Sequence, residues 1–135
     1  MSIVKIRAAL ESHLAGMSGA LDTSYENAQF LPVAGTPFQK VNLLPANTEN
    51  PSIGASLHRE VGIFQVSLYY PLNAGATACA TMAENIRTRF ARGTTITVDS
   101  VTVMIDSTPS ISSGSVDGDR WFVAVSINYS ADIFI

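Results

Sequence analysis

Few side chains in this sequence could carry out hydrolytic or transfer chemistry. It contains two histidines, His13 and His58, and one cysteine, Cys79. A nucleophilic mechanism needs a nucleophile beside a base, and a zinc site needs several ligands at short spacing. Neither histidine has a second ligand at such a spacing. We expect His13 to be half-buried or at the surface, and His58 to be solvated.

Cys79 lies on the apolar stripe of a predicted helix, where cysteine behaves as a small hydrophobic residue. We therefore expect it to be buried and structural. The G-x-S-x-G elbow, the P-loop and the G-x-G-x-x-G fingerprint are all absent from the sequence.

The carboxylates give no clear site either. Asp117, Gly118 and Asp119 superficially resemble a calcium loop, but the stretch lacks the closing glutamate, so a turn is the better interpretation. The sequence leaves paired carboxylates open, but the glutamates stand apart among polar neighbours, with no apolar pocket to raise a pKa: Glu26, Glu49, Glu60 and Glu84. The sequence predicts a protein that is not an enzyme, with no catalytic, cofactor-binding or metal-ligating residue.

The composition indicates one domain spanning residues 1–135 with an unusually uncharged surface. The chain is 47% hydrophobic and 14% charged, where about 25% charged is typical. Partner subunits that cover part of the surface would explain this low share of charged residues, so an oligomer is plausible. The net charge of −3 argues against a dedicated nucleic-acid binder. The one basic group, Arg87, Arg89 and Arg92, lies near a predicted helix end, where cations complement the helix dipole.

A single cysteine excludes an intrachain disulfide. The first residues lack the apolar core of a signal peptide, and no apolar run approaches the roughly 20 residues that span a bilayer. We expect a soluble protein made in the cytoplasm, without membrane contact.

Hydrophobic periodicity predicts two amphipathic helices, over residues 2–16 and 75–92, with Gly93 at the C′ position of the second. Alternating patterns predict five strands, and a further extended piece ends at a proline and belongs at a sheet edge. These segments are 38–44, 61–70, 94–98, 101–107 and 120–129, with the edge piece at 23–32. Asp99-Ser100 is predicted as a two-residue turn. Residues 45–58 are predicted as a long loop or the tip of a long hairpin, and residues 107–119 as a flexible loop.

The predicted order is therefore α-β-β-α-β-β-β. It indicates the α+β class, with a mostly antiparallel sheet and both helices packed on one face.

Four segments together resemble the tail-terminator proteins of long-tailed bacteriophages. They follow one another along nearly the whole chain: residues 8–11 running into 21–23, residues 25–32 with an E-N pair before a phenylalanine and a proline, residues 60–66 continuing through Tyr70-Pro71 and Gly75, and residues 90–94. Each segment alone is weak evidence, because its residues form the fold and carry no chemistry.

The resemblance implies a structural virion protein at the head-proximal end of the tail, assembled in the host cytoplasm. Such a protein forms a ring, usually of six subunits, that binds the tail tube protein and stops tube growth. Its other face receives a head-completion or connector protein, and DNA passes through the lumen without being read. The alternatives are another head–tail joining or minor tail protein, or, less favoured, a small ligand-binding module or enzyme.

Two hypotheses concern how such a ring would close. In the first, the loops at residues 45–58 and 107–119 contact a neighbouring subunit or the tube. In the second, the strand Val61–Tyr70, or its partner strand, presents an edge that pairs between subunits.

Overall fold

Both helices form where apolar residues recur at helical spacing, and each buries that stripe. A computed structural model describes residues 2–49 and 57–134. Helix α1 spans Ser2–Ala15 and buries Ile6, Leu10 and Leu14. Helix α2 spans Thr77–Arg89 and buries four residues, Cys79, Met82, Ala83 and Ile86.

The rest of the described chain is largely β-structure in one sheet. Its strands are β1 (Asp22–Ser24), β2 (Phe38–Pro45), β3 (Leu57–Pro71), β4 (Thr95–Val98), β5 (Val101–Ile105), β6 (Ser110–Ile111), β7 (Ser115–Asp117) and β8 (Arg120–Phe134). The main path runs β1-β2-β3-β8-β5-β4. Strand β1 pairs parallel with β2, and every other pairing is antiparallel.

Strand β8 organises the sheet because both of its edges are used. One edge pairs with β3 along all fifteen residues of each strand. The other edge pairs in turn with β7, β6 and β5. The register sets Phe64 opposite Ile127 and Val66 opposite Val125, so their side chains share one face. Both helices pack on that face in a single core, which confirms the predicted α+β class and the two helices on one face.

The termini of several predicted elements are corrected. Helix α2 is shorter than predicted, and its C-cap is Phe90, so Gly93 is not the C′ residue. Gly93 instead has φ +87° and donates its N–H to the Ile105 carbonyl, which turns the chain from the helix into the sheet. The Asp99-Ser100 turn is confirmed, with positive φ at both residues, as a tight hairpin turn requires.

Residues 107–119 are not a simple loop. They contain β6 and β7, and the Ser112 N–H donates to the Ala124 carbonyl. Composition alone favoured a loop, but the exposed backbone groups along β8 need hydrogen-bond partners, and this serine-rich segment supplies them.

The two long strands are longer than predicted. Strand β3 begins at Leu57, four residues before the predicted start, and β8 continues to Phe134 because the two strands pair throughout. A bridge between Glu49 and Arg59 continues the β2–β3 hairpin. Of the two alternatives predicted for residues 45–58, a long loop or the tip of a long hairpin, the described part favours the hairpin. Residues 50–56 lie outside the described part of the chain. Within the described residues, no helix is long and apolar enough to cross a membrane.

Candidate functional site

His13 joins the two helices. Its Nε2 lies 2.8 Å from the Arg89 carbonyl oxygen, and its ring meets Phe90 edge-on at 4.9 Å between centroids. In addition, Arg89 donates from Nε to the His13 carbonyl at 2.9 Å. The half-buried position predicted for His13 is confirmed, and its contacts give it a packing role.

His58 is less exposed than predicted. It lies at the start of β3, where it is half-buried, and its Nε2 is 3.3 Å from the Glu60 carboxylate. The expectation of a solvated side chain is wrong because residues 57–60 belong to a paired strand and not to a loop.

Cys79 is fully buried in the core, as predicted. Burial raises the pKa of its thiol to about 11, so the thiol stays protonated at neutral pH. A reactive cysteine needs the opposite environment, with a lowered pKa and access to solvent.

The acidic residues form no metal site among the described residues, and Glu49 and Asp132 both pair with Arg59. Gly118 has φ +61° and forms the β7–β8 turn between Asp117 and Asp119, which confirms the turn interpretation. Among residues 2–49 and 57–134, no group of three or more His, Cys, Asp or Glu side chains could hold a metal ion.

The basic group near the end of α2 does not form one patch. Arg87 donates from Nε to the Pro109 carbonyl at 3.0 Å, and Arg89 donates to the His13 carbonyl. Arg92 lies beyond the helix in an exposed turn. Two of the three arginines therefore tie α2 to neighbouring elements.

The second assembly hypothesis requires a strand edge that is free to pair with another subunit. Strand β3 is paired with β8 on one side and with β2 over residues 62–69 on the other, so Val61–Tyr70 has no free edge. The outer edge of β2 is covered by β1 only at residues 38–40. Beyond that point the Leu43 N–H donates to the Glu26 carboxylate, and Pro45 has no N–H to offer.

Glu26 is held in place by a second partner. Arg7 Nη1 donates to its Oε1 at 2.9 Å. Burial disfavours the ionised carboxylate, but the Leu43 N–H and the Arg7 guanidinium outweigh it, so the pKa of Glu26 is lowered. An ionised Glu26 therefore protects the β2 edge under ordinary conditions.

A row of aromatic residues lies on the sheet face turned away from the helices. Phe38, Tyr69 and Phe122 are register neighbours across β2, β3 and β8. The rings of Phe38 and Tyr69 stack at 4.9 Å, and Tyr69 meets Phe122 at 5.2 Å. Phe30 adds a fourth ring 5.1 Å from Phe38. Sequence reasoning missed this row because Phe30 precedes β2 and the outer face of β3 has a mixed pattern.

Arg120 fastens a segment of chain over this row. The segment, residues 30–36, is called the strap below. Arg120 is only 7% exposed, and it donates from Nη1 to the Thr36 carbonyl at 2.6 Å and from Nη2 to the Val33 carbonyl at 2.8 Å. Its guanidinium also lies 5.1 Å from the centroid of Phe38. The strap presents two apolar side chains outward, Leu31 at 76% and Val33 at 61% exposed.

A pocket of about 510 Å³ opens between the strap, the aromatic row and the β7–β8 turn. Its lining combines apolar groups with a charged rim: Pro32, Ala34, Phe38, Tyr69, Asp117, Gly118, Asp119 and Arg120. Burial, and secondly the nearby Asp117 carboxylate, raise the pKa of Tyr69. This pocket, which we call the strap pocket, could accept a side chain that is both flat and positively charged.

Comparison with known proteins gives a family and a fold for the chain. A family described as phage tail terminator protein matches residues 5–129. No curated protein matches the chain. Among twelve matching chains of solved structures, one superposes with a TM-score of 0.79 at 22% identity, covering 100% of this chain and 99% of its own. At that identity it shows a shared fold alone.

The family match over residues 5–129 defines a structural protein of a phage tail. The chain belongs to the phage tail terminator family. Membership assigns it a structural role in tail assembly and a location in the virion tail, and the family is not one of enzymes.

Proposed function

We propose that the chain forms a ring of six copies on the last ring of the tail tube and ends tube polymerisation. The opposite face of the ring then receives the head-completion or connector protein. The family match over residues 5–129 supports this role, and the proposal assigns the chain no catalytic residue, cofactor or metal. Assembly takes place in the host cytoplasm, and the ring occupies the head-proximal end of the tail.

The structural observation that carries the proposal is the number of large apolar side chains left on the surface. Leu31, Val33, Val116 and Phe134 are all more than 60% exposed, on a chain with only 14% charged residues. Exposed apolar side chains that lie side by side mark contact sites for other proteins, and Leu31 and Val33 lie two residues apart on the strap. These residues come from the strap, from β7 and from the end of β8, so several contacts are available to one subunit.

The charge of the chain fits a passive channel for DNA. A groove that grips DNA gains affinity from each phosphate it neutralises with lysine or arginine. The chain carries a net charge of −3. We propose that DNA passes through the lumen of the ring without specific binding.

The contact role of residues 45–58 stays a proposal, with residues 50–56 outside the described part of the chain. Replacing residues 50–56 by a Gly-Ser linker of equal length leaves the bridge between Glu49 and Arg59 in place. If the loop makes an assembly contact, the variant keeps the monomer folded and loses ring formation or tube capping. Unchanged assembly would remove this segment from the interface.

Light scattering tests the oligomer, over a range of protein and salt concentrations and with and without purified tail tube protein. We expect a mass of six chains, either alone or after the tube protein is added. A polymerisation assay then asks whether the protein stops tube growth. A stable monomer indifferent to tube protein, or a ring that leaves tube growth unchanged, would favour another head–tail joining or minor tail protein.

A further inference from the structure

A closed ring of identical subunits uses two different patches on each subunit, one of which fits the other on the next copy. The contact inferred below rests on the proposed ring and identifies the described surfaces suited to be those two patches. They must be complementary in chemistry. They must also lie far enough apart that one copy cannot satisfy both by itself.

The strap pocket has the chemistry of an acceptor. Its floor is the stacked pair Phe38 and Tyr69, and its rim carries the carboxylates of Asp117 and Asp119. Within residues 2–49 and 57–134, neither aspartate forms a salt bridge, and Arg120 is directed to the strap carbonyls. Two carboxylates at the rim of a partly apolar pocket attract a cation, and a planar guanidinium can bond to both of them at once.

Arg92 has the chemistry of the matching donor. It lies in the exposed turn between α2 and β4, and among the described residues its side chain makes no hydrogen bond or salt bridge. The same turn is held to the sheet by the Gly93 N–H donating to Ile105. The guanidinium is thus presented from a fixed piece of backbone.

The two patches lie far apart on the subunit. The pocket is at the Arg120 end of β8, whereas Ile105, beside the Arg92 turn, pairs with Tyr129. Nine residues of β-strand separate Arg120 from Tyr129, which is roughly 30 Å at about 3.3 Å per residue. No side chain spans that distance within one copy.

Other cations fit less well. Lys40 is on β2, two residues from Phe38, and so belongs to the pocket's own end. Lys5 lies far from the pocket but already donates to the Asp99 carbonyl at 3.3 Å, and its ammonium lacks the planar fork with which a guanidinium bonds to carboxylates. Arg92 remains the cation that satisfies charge, shape and distance together.

We propose that Arg92 of one copy enters the strap pocket of the next copy and pairs there with Asp117 and Asp119. Repeating this contact from copy to copy closes the ring. The strap then contributes Leu31 and Val33 to the apolar surface around the charged contact.

Charge reversal tests the contact. Arg92→Glu and Asp119→Lys should each weaken ring formation by at least about tenfold, because each places like charges together in a partly desolvated site. Lys5→Glu is the matched control, since it makes the same charge change at a position that is also far from the strap pocket. It should assemble as the wild type does. Circular dichroism and thermal unfolding check that every variant is folded.

Mixing the two variants sharpens the test. In an alternating ring of even number, the carboxylate introduced at position 92 of one variant meets the ammonium introduced at position 119 of the other. The remaining contacts join an unchanged Arg92 to an unchanged Asp119. Equimolar Arg92→Glu and Asp119→Lys should therefore form rings that neither forms alone, and the double variant should also assemble. Rings formed by Arg92→Glu alone, or no rescue in the mixture and in the double variant, would overturn the contact.

The outcomes separate this inference from the proposed function. If the wild type forms rings that arrest tube growth while Arg92→Glu assembles equally well, the contact is wrong and the proposed function stands. If Asp119→Lys forms rings that no longer arrest tube growth, the pocket receives the tube protein and not a second copy. If the wild type forms no ring with or without tube protein, both proposals fail.

Discussion

The hydroxyl of Tyr129 lies over Gly62, its partner across the β3–β8 pair. A Cβ placed on Gly62 would lie 2.6 Å from the Tyr129 hydroxyl oxygen and 2.5 Å from the Leu44 carbonyl oxygen. Tyr129 is 1% exposed. The largest buried aromatic side chain near this end of the core therefore depends on the absence of a side chain on the neighbouring strand.

We expect Gly62→Ala to lower the free energy of unfolding by about 1–3 kcal/mol, the usual cost of overpacking a filled site. Urea titration followed by circular dichroism measures it. Wild-type stability in this variant would show that Tyr129 or the β2 backbone moves aside without cost.

Tyr129→Phe provides the matched partner for a double-mutant cycle. The Tyr129 hydroxyl is buried and has no hydrogen-bond partner among the described residues, so its removal should be neutral or stabilise the fold by up to about 1 kcal/mol. The penalty of Gly62→Ala should shrink in the Tyr129→Phe background, because one of the two close contacts is gone. Equal penalties in both backgrounds would place the whole cost on the Leu44 carbonyl.

Arg120→Met tests the attachment of the strap. It keeps an apolar stem and removes both hydrogen bonds to strap carbonyls, with an expected loss of about 1–3 kcal/mol of stability. Arg87→Met is the control, since it removes a single hydrogen bond, to the Pro109 carbonyl, and should cost less. Limited proteolysis should show faster cleavage within residues 30–36 in the Arg120 variant only.

We expect Glu26 to make the free energy of unfolding depend on pH. Its pKa is lowered in the folded chain, so its contribution is present above the ordinary pKa of about 4.3 and disappears as the pH falls through the lowered value. Glu26→Gln removes the ion pair with Arg7, for a loss of roughly 0.5 kcal/mol at pH 7, and the difference from wild type should vanish at low pH. Glu84→Gln, on the exposed face of α2, should match the wild type at both pH values in chemical denaturation.

Cys79 should resist thiol reagents in the folded protein. Its burial and its raised pKa, to about 11, leave almost no thiolate at pH 8. Labelling with a chromogenic disulfide should be slow in buffer and immediate in denaturant. Rapid labelling of the native chain would show that α2 opens readily.

Local pattern was sufficient for most of the elements. The buried stripes of α1 and α2, the alternation in β3 and β8, and the positive-φ turn at Asp99-Ser100 follow from side-chain periodicity and backbone preference, both of which act over a few residues. The same local logic placed Cys79 in the core and Asp117–Asp119 in a turn. The family resemblance also rested on residues that form the fold, and it was confirmed over residues 5–129.

Contacts between distant residues were decided only by the tertiary structure. The serine-rich segment 107–119 became two short strands because β8 had unpaired backbone groups beside it, which no local pattern reveals. The strap pocket assembles Pro32, Tyr69 and Asp119, which are up to 87 positions apart. Sequence by itself determined the two helices, the strands β2, β3, β4, β5 and β8, and the apolar stripes that form the core. The pairing of the strands determined which polar and aromatic side chains meet on the outer face of the sheet. Those contacts depend on strand register and order, and not on neighbours along the chain.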